Sequence, residues 1–195
     1  MEGEASPGTF RRDASLEKDL KNSMRYWKPV LLAAVAAVSL GLTAPHGGQA
    51  LAAPAKVTRG QLPPDFTGAT LDGRKITLSQ FRGKNPVVLN FFAEFCGPCK
   101  KEFPHLKALD EQFGARGLKV IAVSLDEDRQ TAAMVPNQSR VRFPVVFDPK
   151  AGIAEKYGVQ AIPHTVILDR EGKVHTVLIG LDLEKLDEAV AQVMK

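Results

Sequence analysis

Cys96 and Cys99 are the only cysteines in this chain of 195 residues, and just Gly97 and Pro98 separate them. The apolar run Val87-Val88-Leu89-Asn90-Phe91-Phe92 comes before the pair and a helical pattern follows it. A strand that feeds a helix through this loop puts Cys96 near the helix N-terminus, where unpaired amides and the helix dipole favour a thiolate over a thiol. Cys96 is therefore the candidate nucleophile. Cys99 lies one helical turn further in, close enough to close a disulfide with Cys96 or to resolve a mixed disulfide formed there. The chemistry this spacing suits is dithiol–disulfide exchange. A structural zinc site normally takes four Cys or His ligands, but there is no second cysteine pair, and His46, His105, His164 and His175 have no ligand spacing to the first. A purely structural disulfide across so short a loop would constrain the unfolded chain little.

The surrounding periodicities alternate between strand and helix. Thr70-Leu71-Asp72-Gly73-Arg74-Lys75-Ile76-Thr77-Leu78 carries an Asp-Gly turn between short strands, a hairpin signal. Residues 87–92 read as a buried strand, and a helix is expected from about Pro98 to Arg116, with Phe103, Leu106, Leu109 and Phe113 on one face and Gly117 as its stop. Residues 119–125 read as a second buried strand. A helix over 126–141 follows, with a possible break at Pro136, then a short strand at 145–148 and a helical turn at 151–157. Residues 165–169 and 174–179 form a hairpin about Glu171-Gly172, and a last helix over 183–194 is capped by Asp182. Strands alternating with helices predict an α/β domain with a central mixed sheet flanked by helices. Asp126-Glu127-Asp128 reads as a solvated helix start, Met134 as core filler, and His164 as a surface or half-buried residue that opens a strand.

The N-terminus carries a targeting pattern. From Met24 the chain shows a short basic start at Arg25 and Lys28, an apolar stretch from Val30 to Leu42, and a small-residue site Ala50-Leu51-Ala52. That stretch is about 13 residues where a membrane span needs about 20, so residues 24–52 read as a secretory signal, with an uncleaved anchor as the alternative. Residues 1–23 are polar and charged, and fit a start codon assigned too early. Residues 53–64 are small, polar and proline-bearing, and read as a linker ahead of a single domain over 65–195. The chain holds 26 Lys and Arg against 22 Asp and Glu, a net charge of +4 without long runs. Such a balance gives no case for nucleic-acid binding.

Three stretches together resemble the extracytoplasmic thioredoxin-like reductases of the TlpA/ResA type: Leu89 through Pro104, which contains the cysteines; Phe143-Pro144-Val145; and Tyr157-Gly158-Val159-Gln160-Ala161-Ile162-Pro163. The likeness runs over roughly residues 61–195. It implies a thioredoxin fold with an extra N-terminal hairpin and an inserted helix–strand segment at about 126–150. It also implies that Cys96, Cys99 and Glu102 are the catalytic groups, Glu102 standing three residues after Cys99 where ResA-type proteins keep an acid. Phe95, Gly97, Pro98, Ile162 and Pro163 would line the substrate side, with Pro163 cis and the Ile162 backbone beside Cys96 to pair with a substrate segment. Asn90 takes the place of thioredoxin's buried Asp, so proton transfer at Cys99 would fall to Glu102 or water. Phe95 replaces the Trp of most relatives, which keeps an apolar wall but removes an indole N–H.

The reading is a periplasmic or membrane-anchored thiol:disulfide reductase that needs no cofactor and no metal and works as a monomer on protein disulfides, apocytochrome c among the family's substrates. Its electrons would come from a membrane thiol carrier of the DsbD or CcdA kind. Three alternatives use the same residues: an oxidase that inserts disulfides, a peroxiredoxin-like peroxidase, and a module that delivers Cu(I) on two soft thiols. Against the peroxidase, Ala93 stands where that class usually has Thr three residues before the reactive cysteine.

Overall fold

In the computed structural model residues 57–195 are described, and they lie within one compact unit. The upstream extension, the signal layout and the first residues of the linker fall outside the described residues. At the centre is β3 (Val87–Phe92), in which all six residues are buried, as a strand covered on both faces requires. It pairs in parallel with β4 (Lys119–Ser124) and antiparallel with β6 (His164–Leu168). Outside these lie β5 (Val145–Phe147), parallel to β4, and β7 (Val174–Ile179), antiparallel to β6. The sheet order is thus β5-β4-β3-β6-β7, with a separate antiparallel hairpin formed by β1 (Thr67–Ala69) and β2 (Lys75–Thr77). The expected hairpin and the inserted helix–strand segment are both present.

Strand alternation sorts the core into two layers. Val88 and Phe92 of β3 and Ile167 of β6 pack with α1 (Gly97–Phe113), α2 (Arg129–Ser139) and α4 (Leu183–Val193), through Phe103, Leu106, Val135, Leu186 and Val190. Val87, Leu89 and Phe91 face the opposite layer, where the hairpin supplies Ile76 and α3 (Gly152–Lys156) supplies Ala154. Gly117 ends the turn after α1 at φ 105, a left-handed conformation that glycine adopts at least cost.

Three local expectations need correction. The second long helix begins at Arg129, not Asp126, because Asp128 is its N-cap and accepts from the Thr131 amide at 2.8 Å. It also runs through Pro136 without breaking there, and ends at Arg140 in the left-handed region. Met134 is 44 % exposed and fills no core. The end of the linker is fastened to the domain. Gly60 donates its amide to the Val174 carbonyl at 2.7 Å, Val174 donates to the Gln61 carbonyl, and the Tyr157 hydroxyl donates to the Pro64 carbonyl at 2.7 Å.

Candidate active site

Backbone geometry delivers the two sulfurs to one place. β3 ends at Phe92, a turn closed by the Cys96 amide donating to the Ala93 carbonyl follows, and α1 starts at Gly97 with Pro98 in its first turn. Proline is suited there because the first helical amides have no partner inside the helix. Cys96 is the N-cap of α1, and its Sγ accepts from the Cys99 amide at 3.1 Å. The cysteines are joined as a disulfide, their Cα atoms 5.3 Å apart. Cys99 is fully buried, Cys96 has a small exposed fraction, and Phe95, Gly97 and Pro98 are exposed around them. Phe95 shows 79 % of its surface, an apolar lip that burial within the fold does not explain.

Beneath the disulfide lies a buried polar cluster. Glu102 is one turn beyond Cys99, on the same side of α1, and only 2 % exposed, so it is no solvated helix carboxylate. Asn90 Nδ2 donates to Glu102 Oε2 at 2.8 Å and to Thr165 Oγ1 at 2.8 Å, and the Thr165 hydroxyl donates to Glu102 Oε1 at 3.1 Å. Burial pushes the Glu102 carboxyl above its ordinary value, while the bonds from Asn90 and Thr165 and the nearby His105 pull the other way. His105 is itself held by Asp187 of α4 at 2.7 Å. A carboxyl tuned this way can exchange protons close to the second sulfur.

Ile162 and Pro163 arrive from the other side. Their peptide bond is cis. The register of β6 against β3, with His164 opposite Phe91, carries Pro163 to the end of β3 from which the cysteine loop departs. The Gly180 amide donates to the Pro163 carbonyl at 2.8 Å, and Ile162 packs against the core cluster that contains both cysteines. His164 corrects the expectation of a surface or half-buried residue, since it is 4 % exposed. Strand alternation turns it to the other face of the sheet from Thr165, edge-on to the Phe91 ring at 5.9 Å, and its two ring nitrogens have no partner. Thr165 was not singled out from the sequence. The signal was its alternation with His164 along a strand that begins right after Pro163.

Asp126 was also missed as anything but a helix-start acid. It is 6 % exposed, and its Oδ1 accepts from the Glu94 amide at 2.9 Å while Oδ2 accepts from the Ser124 hydroxyl at 2.8 Å. Glu94 in turn pairs with Lys100 at 2.5 Å.

A thioredoxin fold with a Cys-Gly-Pro-Cys disulfide capping a helix behind its central strand defines a thiol–disulfide oxidoreductase of the ResA/DsbE type. Residues 60–177, more than half of the chain, match the AhpC/TSA family, and the protein belongs to it. The chain is 33 % identical over 130 residues to the thiol-disulfide oxidoreductase ResA of Bacillus subtilis (strain 168), covering 67 % of this chain and 72 % of that one. It is 29 % identical over 171 residues to the ResA of Halalkalibacterium halodurans, covering 88 % of this chain and 96 % of the relative. Among solved structures, one described as the thiol:disulfide interchange protein DsbE of Chlorobium tepidum superposes with a TM-score of 0.68 at 31 % identity, over 72 % of this chain and all of that one.

Proposed function

We propose that this oxidoreductase works outside the cytoplasm as a reductase of protein disulfides, with Cys96 as the attacking thiol and Cys99 as the resolving one. The observation that carries the reading is the asymmetry of the pair: Cys96 sits at the rim as the helix cap, while Cys99 is fully buried one turn from Glu102. In the first step the Cys96 thiolate attacks one sulfur of the partner's disulfide. A Cys96–partner bond forms, and the partner's other sulfur leaves as a thiolate and takes a proton. In the second step Cys99 gives its proton to the Glu102 carboxylate or to water and attacks the Cys96 sulfur. The intramolecular disulfide closes and the second partner thiolate departs, so two electrons have moved from the pair to the partner.

The exposed Phe95, Gly97 and Pro98, with the half-buried Ile162 and the buried cis Pro163, would hold the partner's extended segment. The resemblance to ResA-type reductases supports apocytochrome c haem-site cysteines as the substrate and a membrane dithiol carrier of the DsbD or CcdA kind as the electron source. The targeting pattern of residues 24–52 supports a periplasmic or membrane-anchored place of work.

The test is a Cys99→Ser variant produced in cells, in which the second step cannot occur and the partner stays bonded to Cys96. The trapped proteins should carry paired cysteines, and the wild-type pair should equilibrate with glutathione near the thioredoxin potential of about −270 mV. A potential near about −120 mV would mark a disulfide-inserting oxidase instead.

A further inference from the structure

The Cys96 sulfur stands at a helix N-terminus with the Cys99 amide donating to it, an arrangement that favours the thiolate and so pulls the pair in the oxidising direction. A negative charge held near that sulfur opposes the pull and makes the pair more reducing. We infer that Asp126, two residues after β4, is a positioning residue whose buried carboxylate holds the turn ahead of Cys96 and makes the pair more reducing by opposing negative charge on Cys96. The inference rests on the reductase reading above.

The geometry is specific. The carboxylate accepts the Glu94 amide on one oxygen and the Ser124 hydroxyl on the other, and Ser124 Oγ also accepts from the Asp126 amide at 3.2 Å. β4 is further tied to β3 at this point by the Leu125 amide, which donates to the Phe92 carbonyl at 2.9 Å. Glu94 is two residues before Cys96, and two Cα steps span at most about 7.6 Å. With the 2.9 Å hydrogen bond added, the carboxylate lies within roughly 12 Å of the Cys96 Cα. Glu94 is paired with Lys100, Lys101 is exposed, and Glu102 lies on the inner side of Cys99. Among the described residues the Asp126 carboxylate takes hydrogen bonds from the Glu94 amide and the Ser124 hydroxyl and forms no ion pair, so its charge is left to act on the sulfur.

At that separation in a medium of effective dielectric near 20, one charge changes the thiolate population by on the order of tenfold. The test is Asp126→Asn, which removes the charge and retains an oxygen for the Glu94 amide, with Asp126→Ser as a second neutral variant. Thermal midpoints of the oxidised proteins show which variants fold. Equilibration with glutathione at a pH where Cys96 is ionised should move by up to about tenfold toward the reduced pair, equivalent to up to about 30 mV in the oxidising direction. Alkylation of Cys96 should begin at lower pH. Ser124→Ala, which loosens the same clamp but leaves the charge, should stay within about twofold of wild type.

A neutral variant that equilibrates like wild type would overturn the inference, as would Ser124→Ala shifting as far as Asp126→Asn. Failure of the reductase reading looks different, because the wild-type pair itself would then be strongly oxidising whatever residue 126 is.

Discussion

Replacing Glu102 by Gln should stabilise the oxidised protein at alkaline pH and leave it nearly unchanged in acid. Desolvation raises the folded-state value of this carboxyl from an ordinary 4.5, against the bonds from Asn90 and Thr165 and against His105. The folded protein therefore holds that proton more tightly than the unfolded chain does. Stability is full below the unfolded value and is lost as pH rises toward the folded one, at about 1.4 kcal/mol for each unit of difference. The glutamine introduced by Glu102→Gln has no charge to desolvate and keeps one oxygen, for Asn90 or for Thr165, where the carboxylate offered one to each. Its amide can approach the unpartnered Asn90 Oδ1, as the O–H of a protonated Glu102 can, so that contact does not separate the two proteins in acid. Desolvation of the charge sets the size of the effect, so the gain should be on the order of 1 kcal/mol near pH 8 and should fade below about pH 4.5. Urea unfolding of the disulfide-closed protein across this range measures it without interference from thiol titration. A difference that stays flat with pH, or a variant that grows less stable than wild type as pH rises, would refute the account.

After reduction, alkylation at mildly acidic pH should label Cys96 before Cys99, because Cys96 caps the helix at the rim and Cys99 is fully buried; faster labelling of Cys99 would exchange their roles. Thr165→Val removes the hydroxyl that donates to Glu102 and accepts from Asn90, and should cost about 1–3 kcal/mol in urea unfolding at neutral pH, whereas a neutral outcome would mean those bonds contribute nothing. Trp27 is the only tryptophan, so an exported form cut after Ala52 should show no indole emission and an N-terminal mass beginning at Ala53. Indole emission from the exported protein would favour an uncleaved anchor.

Local signals announced the parts of this fold that local physics decides. The continuous apolar run at 87–92 became the central strand, the Asp-Gly turn a hairpin, and Asp182 a cap that accepts from the Lys185 amide. What stayed hidden depended on partners distant in sequence. Asp126, Glu127 and Asp128 look alike in a row of acids, yet Asp128 caps a helix while Asp126 turns inward to an amide 32 residues earlier in the chain. Met134 has an apolar side chain on an amphipathic helix, but the layer α2 enters is filled by Ala132 and Val135, and Met134 is left facing solvent. Glu102 could be singled out only through resemblance, because its burial is decided by Asn90 and Thr165, 12 and 63 residues away.

The contrast between His164 and Thr165 follows from the same strand geometry. Both are buried and both come just after Pro163, but neighbouring residues of a strand point to opposite faces. Thr165 joins the layer of α1 and completes the cluster with Asn90 and Glu102. His164 joins the layer of Phe91 and Tyr157, where burial pushes its pKa down and favours the uncharged ring. A proton on His164 would therefore have no polar route to the disulfide through the sheet, whereas one on Glu102 lies a single helical turn from Cys99. Proton exchange during the thiol chemistry should accordingly track Glu102, and replacing His164 should change stability without displacing the pH profile of disulfide exchange.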